Sequence, residues 1–323
     1  MFYFRDLQLF KRFQSSIEAG YGLASCPSLG LLATSDDIRN TISVWGVPLS
    51  SDCSDGGLVR MCTLGGRGSK APMQFKFGCD KWASGLLAFT SAKSPPLLLV
   101  SDAGHDAVHI VDVVSQTHVG YVASPGSIAG PRGVAACGTS SLVAVSAWRD
   151  WDAEDHVVVV YSGSGAHWEA VRVIGGRRHP QFIMPFGLRF SADGSNICVA
   201  ERGNDRISLL RVSDGEYVRH IKAGIFTRSP FDVEEVDGGW MVVCHNRLVC
   251  IHDDFRKVLF EFSMSAAATM PGLGVVVRHN ITASGICMQV LSDEDTMSMW
   301  TMSGMRVVWM TVVARGMMYR CRR

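Results

Sequence analysis

Six short apolar runs recur along the chain at near-regular intervals: Leu31–Ser35, Leu97–Asp102, Leu142–Ala147, Ile197–Glu201, Trp240–Cys244 and Leu273–Arg278. Their ends step from Ser35 to Arg278 in five intervals with a mean of about 49 residues. That period suits the blades of a β-propeller and is too long for ankyrin or tetratricopeptide units. The length of 323 residues, with 47% hydrophobic and 19% charged, supplies enough apolar area to offset the ordering entropy, so disorder is excluded as the main state.

Each run is followed by a polar turn and a second strand. In Cys198–Ile221, Gly203-Asn204 offers residues that tolerate positive φ, Ile207, Leu209 and Val212 resume an extended pattern, and Asp214-Gly215 turns the chain into a third strand. Arg39-Asn40 and Gly104-His105-Asp106 repeat the first of these turns. Another strand precedes each hairpin, at Tyr21–Cys26, Gly85–Thr90, Arg132–Cys137, Phe186–Phe190 and Phe231–Val236. Four antiparallel strands per unit predict an all-β, six-bladed β-propeller, in which stacked blades cover faces that no blade can bury alone.

Within this pattern, Leu64–Phe75 and Ile174–Gly194 resemble the blade junctions of NHL-repeat proteins, and Glu201–Ile207 is similar to that family's terminal AD-x-x-N-x-R-I hairpin, with Glu201 where Asp is usual. The resemblance covers roughly residues 17–291 and implies a six-bladed propeller of the NHL- and TolB-like kind. Independently of the family, Pro185 fixes the start of an inner strand, and Gly187 lets that strand run close to its neighbours at the axis. Arg206 is expected to reach acidic or carbonyl groups of an adjacent turn.

The ends complete the predicted plan. Residues 1–16 form an N-terminal segment whose Tyr3–Leu9 is expected to supply the last blade's outer strand and close the ring. Residues 17–291 form the propeller, and 292–323 a helix with a basic tail. For the last, Ser292-Asp293-Glu294-Asp295 reads as a helix start and the four arginines from Arg315 onward suit a helix end, predicting a helix over Thr296–Gly316. Its Met- and Trp-rich composition fits either packing on the propeller rim or binding a partner or a membrane surface. Arg306 and Arg315 make Met297–Met318 a poor membrane span, and residues 1–13 lack the apolar core of a secretory signal.

Charge and cysteine usage narrow the function. Of the formal net charge of +1, residues 1–13 carry +2 and residues 315–323 carry +4, which leaves −5 on the body. An acidic body lacks the basic footprint that phosphate neutralisation needs, so nucleic acid is not an expected partner. The 10 cysteines include no C-x-x-C pair and several lie in apolar runs, as Cys198 and Cys244 do, which points to a reducing, cytoplasmic setting.

Catalytic signatures are absent from the chain. His105 and His109 fall on a turn and a strand, no H-E-x-x-H occurs, and neither Gly163-Ser164-Gly165 nor Gly65–Lys70 fits a nucleophile or phosphate-binding motif. No metal ligands, catalytic residues or cofactors are assigned. What stands out is Trp148–Asp155, an inserted turn with two Trp, one Arg and four acids. Trp148, Arg149 and Trp151, with Arg202 and His245 on corresponding turns, are the candidate binding residues; alternatively the tryptophans fold back and cap the blade. The expected function is a monomeric, non-enzymatic platform that binds a protein partner through its rim loops. The alternative is a metal-dependent hydrolase or lyase using the axial channel, as in some six-bladed relatives of the NHL family.

Overall fold

The computed structural model describes residues 7–14, 20–26, 29–36, 39–46, 59–66, 73–77, 86–90, 97–149, 156–176, 182–221, 229–236, 239–244, 247–252, 258–263, 275–282, 285–290, 296–302 and 308–312, with the strands of 7–14 and 258–312 described as backbone. An N-terminal strand, β1 (Leu7–Gln14), precedes five four-stranded antiparallel blades. Blade 1 is β2 (Gly20–Cys26), β3 (Leu31–Asp36), β4 (Thr41–Gly46) and β5 (Val59–Gly65). Blade 2 is β6 (Leu87–Phe89), β7 (Leu98–Asp102), β8 (Ala107–Asp112) and β9 (Thr117–Ala123). Blade 3 is β10 (Pro131–Ala136), β11 (Leu142–Ala147), β12 (Val157–Ser164) and β13 (His167–Gly175). Blade 4 is β14 (Pro185–Phe190), β15 (Asn196–Glu201), β16 (Arg206–Arg211) and β17 (Tyr217–Ile221). Blade 5 is β18 (Pro230–Val236), β19 (Gly239–Cys244), β20 (Arg247–His252) and β21 (Val258–Ser263).

The apolar runs that set the period are the second strands of these blades. Strands β3, β7 and β19 are buried at every position, because a neighbouring blade covers each face. Such strands open on an unbroken apolar stretch rather than an alternating one, and β3 and β7 close on buried polar residues, Ser35-Asp36 and Ser101-Asp102. The outermost strands β5 and β13 are mostly exposed. The core is accordingly a series of wedges between blades: Ala33, Ile42 and Val44 of blade 1 pack with Leu87, Leu98 and Val100 of blade 2, and the pattern repeats between blades 2 and 3, 3 and 4, and 4 and 5. Cys198 and Cys244 are buried in the last of these wedges.

Two expectations are corrected here. Five regular blades form rather than six, because the last sheet is five-stranded and mixed, in the order β1, β24 (Thr296–Met302), β25 (Val308–Val312), β23 (Gly285–Val290), β22 (Val275–Thr282), with β23 and β25 parallel. The sixth apolar run, unlike the other five, supplies the first strand of its sheet, and β22 lies against β18 on one side and β2 on the other. The predicted C-terminal helix is replaced by β24 and β25. The physical reason is composition and available partners: T-M-S-M-W-T-M and V-W-M-T-V are rich in β-branched and aromatic residues, and β24 finds partners in β1 and β25. End charges, worth about 0.3–1 kcal/mol on a helix, do not outweigh that pairing. β1 runs antiparallel to β24, with Leu7 opposite Met302 and Gln14 opposite Thr296. Among the described residues no helix is long and apolar enough to cross a membrane.

Hydroxyls and close backbone approach hold neighbouring blades together near the axis. Ser101 Oγ accepts from Leu86 N–H of its own blade at 2.9 Å and donates to the Arg132 carbonyl of blade 3 at 2.5 Å. Ser146 does the same between Gly133 N–H, at 2.8 Å, and the Phe186 carbonyl of blade 4. The approach leaves no room for a side chain at the glycines of these inner strands: a Cβ on Gly187 would overlap the Asp232 side chain and backbone, as the sequence reading of Gly187 requires.

Candidate functional site

The described turns between second and third strands share a design that the sequence shows only in outline. Each regular turn places one residue in the left-handed region: Asn40, Asp106 and Asp205, with φ of 54°, 53° and 48°. The positive φ at blade 4 therefore falls on Asp205 rather than on Gly203 or Asn204, which form a short 3-10 turn with Arg202. Each of these side chains reaches the next blade and accepts a backbone N–H there. Asn40 Oδ1 takes Phe77 N–H at 2.8 Å, Asp106 Oδ1 takes Gly130 N–H at 2.8 Å, and Asp205 Oδ1 takes Ser229 N–H at 2.6 Å. Where blade 3 has its long insertion, His156 substitutes, its Nδ1 lying 3.3 Å from both the Phe182 carbonyl and Met184 N.

The inserted turn begins inside the protein. Trp148 is 1% exposed and belongs to an apolar cluster with Leu86, Met184, Phe186 and Phe231. These residues gather at the start of the innermost strands, since Pro131, Pro185 and Pro230 face Ala147, Glu201 and Cys244 across their hairpins. The guanidinium of Arg132 stacks on Trp148 with Cζ 4.5 Å from the ring centroid, and that of Arg202 stacks on Phe231 at 4.6 Å. Phe186 stands between, 6.5 Å from Trp148 and 5.7 Å from Phe231. Two of the five predicted binding residues, Trp148 and Arg202, thus meet in one arginine–aromatic row. Trp148 takes the capping role, and its burial leaves Arg149 as the exposed residue at the start of the insertion. Arg149 pairs with Asp106 of blade 2. Burial works against ionisation of Asp106, yet the Arg149 guanidinium and Gly130 N–H outweigh it and hold its pKa below the usual carboxylate range. Trp151 and His245 lie outside the described residues.

The same face carries a cluster built on His105 and His109, which the sequence reading discounted as ligands because they fall on a turn and a strand. His105 Nδ1 and His109 Nε2 both approach Asp102 Oδ2, at 2.9 and 3.2 Å. Asp102 is fully buried, and its two oxygens each accept Lys76 N–H at 3.1 Å. Burial opposes its ionisation, but the two imidazoles overcome this and lower its pKa. His109 Nδ1 lies 3.2 Å from His118 Nε2, and the ring of His109 is flanked by Phe75 and Tyr121, with centroids 5.2 and 5.1 Å away. Burial, and then the neighbouring His109, push the His118 pKa down. The missed signal was strand register. Asp102 pairs with Ala107 across the hairpin, so His109, two residues on, shares its face. Blade 4 uses the same positions differently: Glu201 accepts Asn204 Nδ2 at 2.6 Å, Arg206 Nε at 2.8 Å and the Ser208 hydroxyl. Arg206 therefore binds an acid of its own hairpin, not of an adjacent turn.

On the opposite face, a cavity of about 430 Å³ opens between blades 2 and 3, lined in part by Cys137, Thr139, Ser140 and Trp168. None of the predicted binding residues lines it.

No family model matches the chain. A 62-residue stretch is 39% identical to peptidyl-glycine alpha-amidating monooxygenase B of Xenopus laevis, a match that covers 19% of this chain and 7% of that protein. Among solved structures, a chain from the crystal structure of a nidogen/laminin complex aligns with a TM-score of 0.55 at 13% identity, over 78% of this chain and 82% of its own. That likeness is one of fold, an all-β propeller with four-stranded antiparallel blades.

Proposed function

We propose that the chain is an NHL-type propeller that acts as a non-enzymatic platform, binding a protein partner on the face that carries Arg149, Arg202 and His105. The observation that carries this reading is the filling of the inner ends of blades 2 to 5. Trp148, Phe186 and Phe231, with Arg132 and Arg202 stacked on them, occupy the place where a channel enzyme would gather polar ligands. What this face turns outward is charge on its turns, chiefly the Arg149–Asp106 pair, beside the inserted loop. Charged and aromatic groups on loops held by a rigid scaffold suit protein recognition. A propeller aligned with a chain of a protein–protein complex is compatible with this use.

The test is affinity capture with the purified chain and with Arg149→Ala/Trp151→Ala, followed by binding measurements on the captured protein. The expected result is a partner bound by the parent and lost by the double variant at an unchanged melting temperature. Equal capture by both would overturn the assignment of this face. The 62-residue likeness to the amidating monooxygenase favours one alternative, a metal-dependent hydrolase or lyase. Metal-dependent turnover that survives the same double substitution would establish that alternative.

A further inference from the structure

The hairpins of blades 1, 2 and 4 each end their second strand in an acid: Asp36, Asp102 and Glu201. In two of them an arginine balances that acid, Arg39 at 3.5 Å from Asp36 and Arg206 at 2.8 Å from Glu201. In blade 2 the position of Arg206 is Ala107, and the positions of Asn204 and Ser208 are His105 and His109. Among the described residues, Asp102, the most deeply placed of the acids together with Glu201, therefore has no lysine or arginine side chain on it. A carboxylate in that position calls for a compensating cation.

We propose that Asp102 Oδ2, His105 Nδ1 and His109 Nε2 bind one divalent cation of the zinc type, which replaces in blade 2 the guanidinium of blade 4. Donor type and spacing both fit. One carboxylate oxygen and two imidazole nitrogens form a mixed N/O set that suits zinc. Two bonds of about 2.0–2.1 Å at a tetrahedral angle hold their donors about 3.3 Å apart; the two nitrogens stand 2.9 and 3.2 Å from Asp102 Oδ2, and all three donors lie within 4.8 Å of one another. The surroundings are those of a built site. With Nε2 of His109 on the metal, its Nδ1 carries the proton and donates to His118 Nε2, which fixes the tautomer. Phe75 and Tyr121 hold the ring, and Lys76 N–H orients the carboxylate. The His105 side chain is 41% exposed, so the ion enters from solvent and a water completes the fourth position. The site lies on the hairpin of one blade, away from the axis, and does not depend on the partner reading above.

The experiment is Zn²⁺ binding to the full chain after stripping with chelator, read by competition with a fluorescent chelator, with Co²⁺ absorption reporting the geometry. One equivalent per chain and the intense d–d bands of tetrahedral Co²⁺ are expected. His105→Asn and His109→Ser write the residues of blade 4 into blade 2. Each should weaken Zn²⁺ by roughly 100-fold or more, and His118→Ala by about 10–100-fold as an outer partner. The stripped His105→Asn protein should melt with the stripped parent, because Asn204 already serves the acid of blade 4 in this way. Failure of the parent to take up a stoichiometric ion overturns the proposal. So does equal uptake by the His105→Asn/His109→Ser double variant, which would place the ion on other histidines.

Discussion

Blades 2 and 4 fold the same hairpin around a buried acid and then satisfy that acid by different chemistry. In blade 4, Glu201 is closed in by Asn204, Arg206 and Ser208, all donors, one of them a permanent cation. In blade 2, Asp102 meets two imidazoles whose nitrogens either donate protons or offer lone pairs. The first arrangement is a closed clasp that needs nothing from outside. The second can be closed by neutral rings donating their N–H groups, or opened by turning the same nitrogens' lone pairs to a cation. A repeat fold thus fixes where an acid stands, while three variable positions around it decide whether the place is structural or open to a ligand.

Blade 3 widens the comparison, because it lacks the acid and puts Trp148 just beyond the strand. Trp148→Ala should have the largest effect, a loss of about 3–5 kcal/mol for deleting a buried aromatic side chain. Urea unfolding would check this, and a loss below about 1 kcal/mol would show that Trp148 does not cap the blade. Next comes the clasp of blade 4. Arg206→Ala strands the Glu201 charge, and because Arg206 is 16% exposed its cost should be about 2–3 kcal/mol, below the 3–5 of a fully buried pair. Adding Glu201→Gln should recover much of that loss in a double-mutant cycle.

A smaller effect tests the link that all regular turns share. Asp106→Ala removes the acceptor for Gly130 N–H and should cost about 1–2 kcal/mol. Asp106→Asn should cost little, because Asn40 makes the same bond at the same positive φ in blade 1. Equal melting shifts for the two substitutions would break the equivalence of blades 1 and 2.

The smallest effect concerns pH. Asp112 of blade 2 and Asp214 of blade 4 stand at the turns into the outer strands, and both have pKa values below the usual range. For Asp112, burial is overcome by the Ser115 side chain and the Ser115 and Val114 amides; for Asp214 the cause is Glu216 N–H and then Arg211. A lowered folded pKa contributes stability that is present above the unfolded value of about 3.9 and is lost as pH falls through the folded value. Asp112→Asn and Asp214→Asn should therefore each shrink the drop in melting temperature between pH 7 and pH 3. An unchanged or steeper drop would remove these turns from the acid response.

The period, the five strand pairs and the turns were legible because each blade repeats one local problem. A strand covered on both faces favours an unbroken apolar stretch, as Leu31–Ala33 opening its strand and Trp240–Cys244 show. The C-terminal strands were not legible in that way. Thr296–Met302 and Val308–Val312 become strands through partners far away in the chain, β1 among them, and local charge signals pointed to a helix. The same division holds at the site. Sequence alone determined that a hairpin would carry an acid, a turn and a third strand in that order. Only the tertiary structure decided that His109 would face Asp102, that His118 would stand behind it from the next strand, and that Trp148 would turn inward under Arg132. Burial patterns are set residue by residue, whereas the meeting of side chains depends on register and on the approach of neighbouring blades.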